Sequence, residues 1–194
     1  LHLSIRRQRQ MCIRDSSVGW SERGQHLRYE CITGLLPLNG ASVLDLGCGK
    51  GDLYGYLINK GLRIRYTGID INPELIRLAR SKYPDVTFYV LDIEQEDLRE
   101  EYDFVIICGV FNLNLEGVKA SAFMALKKAF RYTRKALLFN CPSIHTRQKD
   151  PNLLYYDPVE LLGLALSITK DVNLYHNTIE GEIFLILSKE DRGG

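Results

Sequence analysis

Residues 43–53, VLDLGCGKGDL, decide how this chain folds. A short apolar run contains one acidic residue, Asp45, and glycine then occupies three alternate positions, Gly47, Gly49 and Gly51, before a helical pattern begins. Glycine lets the backbone turn sharply and lets a ligand approach without a Cβ in the way. The turn also leads into a helix N-terminus, where free N–H groups and the helix dipole favour an electron-rich ligand. The stretch therefore predicts a ligand-binding turn between a strand and a helix.

Three further strand-like runs end in acidic or turn-forming residues. They end, in order along the chain, at Asp70, Asp92 and Cys108. Asp70 comes 19 residues after Gly51, and an acidic side chain at the tip of a second strand can accept hydrogen bonds from both hydroxyls of a ribose. Because the carboxyl ends of parallel strands meet at one edge of a sheet, these residues and the glycine turn are expected to line one crevice.

This series of motifs resembles the class I, Rossmann-like S-adenosylmethionine-dependent methyltransferases, and the match extends over residues 43–112. The resemblance implies an α/β three-layer sandwich with a mostly parallel seven-stranded sheet and an antiparallel C-terminal strand. Five alternating β/α units are expected, followed by a hairpin of strands at residues 172–175 and 182–187. The connection in that hairpin is too short for a parallel crossover, so its strands must pair antiparallel.

The resemblance also implies which residues hold S-adenosylmethionine. Asp70 would bind the ribose, Ile71 would pack on the adenine, Asp92 would accept from the adenine amino group, and Asp45 would attract the ammonium of the methionine moiety. Helix capping is the alternative for Asp70 and turn capping for Asp92, and for the glycines it is an ordinary tight turn. The full set of expected cofactor contacts is Arg28, Asp45, Gly47, Cys48, Gly49, Gly51, Asp70, Ile71, Asp92, Ile93 and Cys108.

Residues for the methyl acceptor are harder to assign. His145 follows the fifth strand, where a histidine can take a proton from an acceptor hydroxyl or carboxyl. Asn112 and Tyr155 are further candidates for catalysis. Methyl transfer from a sulfonium requires chiefly alignment and a dry site, so a dedicated base is not obligatory. No paired carboxylates, metal ligands or Ser-His-Asp arrangement is evident in the sequence.

The bulk properties indicate one folded domain after an unrelated leading segment. The chain has 194 residues, and its five cysteines form no C-x-x-C pair, which favours a reduced, cytoplasmic protein. No apolar run approaches the length of a membrane span. Residues 6–15 resemble a translated sequencing-library adaptor, so residues 1–16 are interpreted as non-native. Residues 17–40 then form the remnant of an N-terminal lid helix, where Arg28 pairs with the cofactor carboxylate or lies on the surface. Residues 41–194 form the methyltransferase domain.

Charge and motif details separate the competing functions. Residues 1–16 hold four arginines and one aspartate, so leaving them out takes the net charge from +1 to −2 and removes the electrostatic case for nucleic-acid binding. A basic cluster at residues 127–135 is interpreted as a solvated helix end, and the alternative is a patch that binds RNA phosphates. The run Cys108-Gly-Val-Phe-Asn112 departs from the Asn/Asp-Pro-Pro-Tyr/Phe pattern of amide and base-amino methyltransferases. We therefore expect a small-molecule acceptor, the alternatives being an RNA methyltransferase and a non-catalytic S-adenosylmethionine-binding partner protein.

Overall fold

A computed structural model of the protein describes residues 21–190; the adaptor-like segment and Trp20 lie outside this range. Five helices and seven strands follow one another along the described chain. In order they are α1 (Glu22–Leu35), β1 (Ser42–Leu46), α2 (Asp52–Asn59), β2 (Arg65–Asp70), α3 (Pro73–Lys82), β3 (Thr87–Val90), β4 (Tyr102–Cys108), α4 (Val118–Arg131), β5 (Thr133–Pro142), α5 (Pro158–Leu166), β6 (Val172–His176) and β7 (Glu182–Ser188).

The strands form a single seven-stranded sheet in the order β3-β2-β1-β4-β5-β7-β6. Strands β1 to β5 pair in parallel, and β7 runs antiparallel to both of its neighbours, β5 and β6. Because β7 is reversed, its first residue, Glu182, pairs with Pro142 at the carboxyl end of β5. The predicted Rossmann-like sheet with an antiparallel C-terminal strand is confirmed.

Helices cover both faces of the sheet and create two hydrophobic cores. Buried residues of α1, α2 and α3 pack on one face with Val43 and Phe104, and those of α4 and α5 pack on the other with Leu44 and Val105. Successive residues of a strand point to opposite faces, so a strand covered on both sides must be apolar throughout. Asp45 breaks this rule in β1, whose five residues are all buried. Asp45 is therefore a polar exception in a strand that is otherwise buried.

Short polar residues begin three of the helices. The Ser21 hydroxyl accepts from the Gly24 N–H at 3.1 Å at the start of α1. Asn72 and Asp157 cap α3 and α5, and each is followed by a proline at the first helical position. These side chains satisfy N–H groups that a helix N-terminus leaves without intrahelical partners.

Three expectations from the sequence were wrong: a fifth strand over residues 136–139, a helix in each of the five β/α units, and one face of the first helix formed by Leu27, Cys31 and Leu35. Strand β5 runs over ten residues instead of four, because Thr133 already pairs with Tyr102 in β4 and the pairing with β7 continues to Pro142. The chain between β3 and β4 contains turns and no helix. On α1 the buried side chains are Tyr29 and Ile32, whereas Leu27, predicted to face inward, is 38% exposed. Tertiary packing overrides the local apolar pattern in each case.

Helix α4 offers a matched test of the core. Replacing the fully buried Leu126 with alanine is expected to lower the free energy of unfolding by about 2–5 kcal/mol, because it leaves a cavity. The same truncation at Met124, which is 47% exposed on the same helix, is expected to change it by less than about 0.5 kcal/mol. Urea unfolding followed by circular dichroism measures both; equal losses would contradict the assigned core.

Candidate functional site

The glycine turn after β1 is shaped by three residues in the left-handed region. Gly47, Gly49 and Gly51 have φ angles of 80°, 55° and 79°, which side-chain-bearing residues rarely adopt. A Cβ on Gly47 would lie 2.3 Å from a methyl group of Val110, so the turn packs directly on the chain that follows β4. A Cβ on Gly49, by contrast, would point into open space. The turn therefore forms a cradle in which Gly49 leaves room for a ligand.

Asp70, at the tip of β2, fastens this turn. One carboxylate oxygen accepts from the Gly49 N–H at 3.0 Å and the other accepts from the Asn72 N–H at 2.8 Å. Asn72, not Asp70, caps α3. An acidic side chain at the tip of a second strand can accept hydrogen bonds from both hydroxyls of a ribose. The placement is compatible with the predicted ribose contact.

Asp45 lies on β1 beside the same turn, with 4% of its surface exposed. The Tyr66 hydroxyl donates to one carboxylate oxygen of Asp45. Burial raises the pKa of Asp45 from 3.8 to about 7; the Tyr66 hydrogen bond opposes this rise, and the charges of Asp70 and Asp52 add to it. Tyr66 was not among the predicted site residues, although an aromatic residue one strand away from a buried acid is a natural hydrogen-bond partner.

The tip of β3 lies beside the tip of β2. The Leu91 N–H donates to the Asp70 carbonyl oxygen at 3.1 Å, which brings the following Asp92 next to Asp70 in the crevice. One oxygen of the Asp92 carboxylate accepts from the Glu94 N–H at 3.0 Å and so caps its own turn. Ile93 is buried and Ile71 is partly buried. The adenine contacts of Asp92, Ile71 and Ile93 remain predictions.

The thiols of Cys48 and Cys108 act as packing groups. Burial raises the pKa of both thiols well above the ordinary value, which keeps them protonated and weakly nucleophilic. A Cβ on Gly68 would lie 2.8 Å from the Cys48 sulfur, so the thiol fills a space that β2 leaves open. The Cys108 thiol donates to the Asn140 side-chain oxygen at 3.6 Å.

A row of polar residues crosses four adjacent strands on the face covered by α1. This polar row consists of Asp45 in β1, Cys108 in β4, Asn140 in β5 and Glu182 in β7, each at the carboxyl edge. Asn140 donates to Glu182 at 2.8 Å, and the guanidinium of Arg28 in α1 donates to the other Glu182 oxygen. Arg28, predicted to pair with the cofactor carboxylate, thus pairs with Glu182, and its direct cofactor contact remains a prediction.

Glu182 was missed by sequence reasoning, although a signal was present. It continues the same strand face as Phe184 and Ile186, both of which are buried under α1. An acidic residue at the first position of an otherwise apolar strand would have to be buried together with a cationic partner.

The three catalytic candidates lie on neighbouring segments without forming one catalytic group. The Leu154 N–H donates to the Asn112 carbonyl oxygen at 2.8 Å, which places residues 153–156 beside the chain that follows β4. The Asn112 side chain is buried, whereas His145 is exposed and packs edge to face on another histidine ring. The Tyr155 hydroxyl accepts from the Asp150 N–H at 2.6 Å. No hydrogen bond within residues 21–190 joins these three side chains to one another, so their catalytic roles remain predictions.

The basic cluster at residues 127–135 is largely compensated by acids. Its ion pairs are Lys128–Asp97 at 3.2 Å, Arg134–Glu101 at 3.6 Å and Lys135–Asp103 at 3.8 Å. Each of these acids competes with phosphate for the cation, which favours the interpretation as a solvated surface.

Two further properties hold for the described part of the chain. None of the helices in residues 21–190 has the length and apolar character needed to cross a membrane. Within the same range, no group of histidine, cysteine and acidic side chains is arranged to hold a metal ion.

The residues around the glycine turn fit S-adenosylmethionine better than a phosphorylated cofactor. The charges of Asp52 and Asp70 lie close enough to raise the pKa of Asp45, and acidic side chains at this turn would repel a pyrophosphate. S-adenosylmethionine carries a ribose, a sulfonium and an ammonium but no phosphate. Apart from its chain neighbours, no atom of residues 21–190 lies within 4 Å of the Cβ position of Gly49, so a ligand can approach the backbone there.

Comparison with known proteins agrees with this fit. Residues 43–135 match the model of a methyltransferase domain family. A Mycobacterium tuberculosis protein whose name describes a methyltransferase is 30% identical over 155 residues, which are 71% of this chain and 90% of that protein. The malonyl-[acyl-carrier protein] O-methyltransferase of Acetivibrio thermocellus is 30% identical over 119 residues, 55% of this chain but only 42% of that enzyme.

A solved structure has the same fold. The magnesium protoporphyrin IX methyltransferase of Synechocystis PCC 6803 with bound S-adenosylmethionine superposes with a TM-score of 0.65 at 17% identity, over 91% of this chain and 86% of that one. The fold, the matched family and the relative that this chain covers almost completely lead to one assignment. The chain belongs to the class I S-adenosylmethionine-dependent methyltransferases.

Proposed function

We propose that this protein transfers a methyl group from S-adenosylmethionine to a small-molecule acceptor, with the cofactor held in the crevice at the tips of β1 to β4. The observation that carries the proposal is the bridge made by Asp70, whose carboxylate binds the Gly49 and Asn72 N–H groups and lies at the mouth of the glycine cradle. These two bonds fix the orientation of the carboxylate at the tip of β2, where it would accept from the ribose hydroxyls.

The remaining contacts follow from the neighbouring strand tips. Ile71 and Ile93 would pack on the two faces of the adenine, with Asp92 accepting from its amino group. Asp45 would attract the ammonium at the methionine end, beside the backbone of Cys108. Gly47 and Gly51 shape the turn, and Cys48 fills the space beneath it.

The chain's own contribution to the reaction is alignment. When bound, the cofactor supplies an electrophilic methyl group on a sulfonium. Hydrogen bonds of residues 153–156 join the segments that follow β4 and β5. These segments form the side of the crevice from which an acceptor would approach. Buried Tyr156 fixes this side by donating from its hydroxyl to the Phe111 carbonyl oxygen at 2.8 Å. Holding an acceptor in line in a water-poor site supplies a large part of the rate enhancement, so no general base is assigned.

Two observations support a small molecule as the acceptor. Three of the five cations of the 127–135 cluster pair with acids, which weakens the electrostatic case for RNA. The magnesium protoporphyrin IX methyltransferase that has the same fold is named for a small-molecule substrate.

The function is tested by a search for acceptor-dependent turnover. Mass spectrometry of ligands retained through purification is expected to detect S-adenosylmethionine or S-adenosylhomocysteine. Screening a metabolite collection is then expected to find an acceptor that drives formation of S-adenosylhomocysteine. Turnover only with RNA would overturn the acceptor class, and cofactor binding without any turnover would favour a non-catalytic partner protein.

Asp70→Ala is expected to weaken cofactor binding about 100-fold, since two charge-assisted hydrogen bonds to the ribose would be lost. Isothermal titration calorimetry with S-adenosylhomocysteine measures the change. Glu74→Gln is the control, because Glu74 lies in the first turn of α3 near the same strand tip but pairs with Arg77 at 3.2 Å. Equal affinities for the Asp70 variant and the parent would remove Asp70 from the ribose role.

Gly49→Ala is expected to abolish measurable cofactor binding, because the new methyl group enters the space assigned to the ligand. Gly61→Ala is the matched control: Gly61 also has a left-handed φ, of 78°, with open space at its Cβ position, but it follows α2 at the opposite edge of the sheet. Both substitutions strain the backbone by about 1 kcal/mol or more. Comparable loss of binding in both variants would show that strain, not occupancy of the cradle, is responsible.

The pKa of Asp45 predicts a specific pH dependence of stability. Asp45 is protonated in the folded protein up to about pH 7 but in the unfolded chain only below its ordinary pKa of 3.8. Its contribution to the free energy of unfolding is therefore fully present below about pH 4 and is lost as the pH rises towards 7. Urea unfolding of the cofactor-free parent relative to Asp45→Asn is expected to show this decline. Parallel curves for the two proteins between these pH values would contradict it.

A further inference from the structure

The ion pair between Arg28 and Glu182 joins two elements that are 154 residues apart in the chain. It is buried, since the exposed fractions of the two side chains are 12% and 7%. The Asn140 side chain, which is fully buried, donates to Glu182 at 2.8 Å and to the Ile183 carbonyl oxygen at 3.1 Å. One carboxylate oxygen of Glu182 is thus bound by Asn140 of β5, and the other is bound by Arg28 of α1.

The position of this pair in the fold is at the cofactor edge of the sheet. Glu182 pairs with Pro142 at the carboxyl end of β5, and Asn140 pairs with Cys108 at the carboxyl end of β4. Tyr29, next to Arg28 in α1, lies close to Cys108 and Asp45: burial raises the pKa of the Tyr29 hydroxyl, and those two groups raise it further. The first half of α1 therefore covers the polar row, of which Asp45 belongs to the proposed cofactor site.

Helix α1 also contacts α2, because the His26 and Tyr29 rings pack against the Tyr56 ring at centroid distances of 5.0 and 5.5 Å. Its buried side chains are Tyr29 and Ile32, and its first residues are exposed. Separating a buried ion pair leaves a charge without compensation, which is far more costly than losing a surface pair. The Arg28–Glu182 pair is consequently the strongest polar tie between the start of α1 and the sheet.

We propose that Glu182 is a positioning residue for the cofactor site: by holding Arg28, it keeps α1 closed over the polar row and completes the wall of the pocket beside Asp45 and Cys108. The inference rests on the proposed cofactor site. It assigns Glu182 a role through α1, without contact with the reacting atoms. If Arg28 instead bound the cofactor carboxylate directly, Glu182 would be dispensable for cofactor binding.

A double-mutant cycle tests the proposal with Glu182→Gln, Arg28→Met and the double variant. Calorimetry with S-adenosylhomocysteine measures affinity, hydrogen exchange of the cofactor-free protein measures opening of α1, and urea unfolding reports global stability. Glu182→Gln is expected to weaken binding about tenfold and to raise exchange in residues 22–35 but not in α4. The double variant is expected to lose no more affinity than the single variant with the larger loss, because both changes break the same pair. Glu182→Asp, which keeps the charge, is expected to recover part of the affinity.

Glu160→Gln is the matched control. It breaks the Lys119–Glu160 ion pair, whose atoms are 2.6 Å apart, between α4 and α5 on the opposite face, and it is expected to leave both affinity and α1 exchange unchanged. If Glu182→Gln fails to fold, the double variant provides the test, because it leaves no buried charge uncompensated.

Three results would overturn the proposal: parental affinity in Glu182→Gln, loss of affinity confined to Arg28→Met, or additive losses in the double variant. Failure of the parent itself to bind S-adenosylhomocysteine would instead contradict the proposed function. In that case the exchange measurement would still decide whether Glu182 holds α1.

Discussion

The carboxylate of Asp70 connects parts of the chain that carry different pieces of the site. It joins the glycine turn after β1 to the start of α3 by two backbone N–H groups, and it lies at the tip of β2 between them. A charged acceptor forms stronger hydrogen bonds to N–H donors than a neutral one, so this side chain helps to fix the turn. The Gly47 and Cys48 N–H groups add to this by donating to the Ile69 carbonyl oxygen at 2.7 and 3.0 Å. The cradle at Gly49 exists because that turn is held open in one shape.

The electrostatics of the crevice follow from the same arrangement. Three carboxylates near one turn repel each other, and burial makes ionisation of the innermost, Asp45, the most costly. A ligand with a sulfonium and an ammonium relieves that repulsion, whereas a pyrophosphate would add to it. The row from Asp45 to Glu182 then extends the polar surface under α1 towards the acceptor side, where Arg28 balances the charge of Glu182.

Local signals predicted most of the fold and much of the proposed cofactor site. The turn residues Gly47, Gly49 and Gly51 and the caps Asn72 and Asp157 act over a few residues, so a single sequence displays them directly. Contacts between distant segments were not visible in this way. The extension of β5 depends on pairing with β7, and the partner of Arg28 is set by the sheet order. On the acceptor side, the structure leaves His145 exposed, which no periodicity of its loop could have indicated.

The most direct test of the account is a crystal structure of the protein with S-adenosylhomocysteine. The account predicts that both ribose hydroxyls lie within hydrogen-bonding distance of the Asp70 carboxylate, about 2.5–3.0 Å, with the nucleoside seated against Gly49. A nucleoside bound away from the tips of β1 and β2, or ribose hydroxyls that do not reach Asp70, would contradict it.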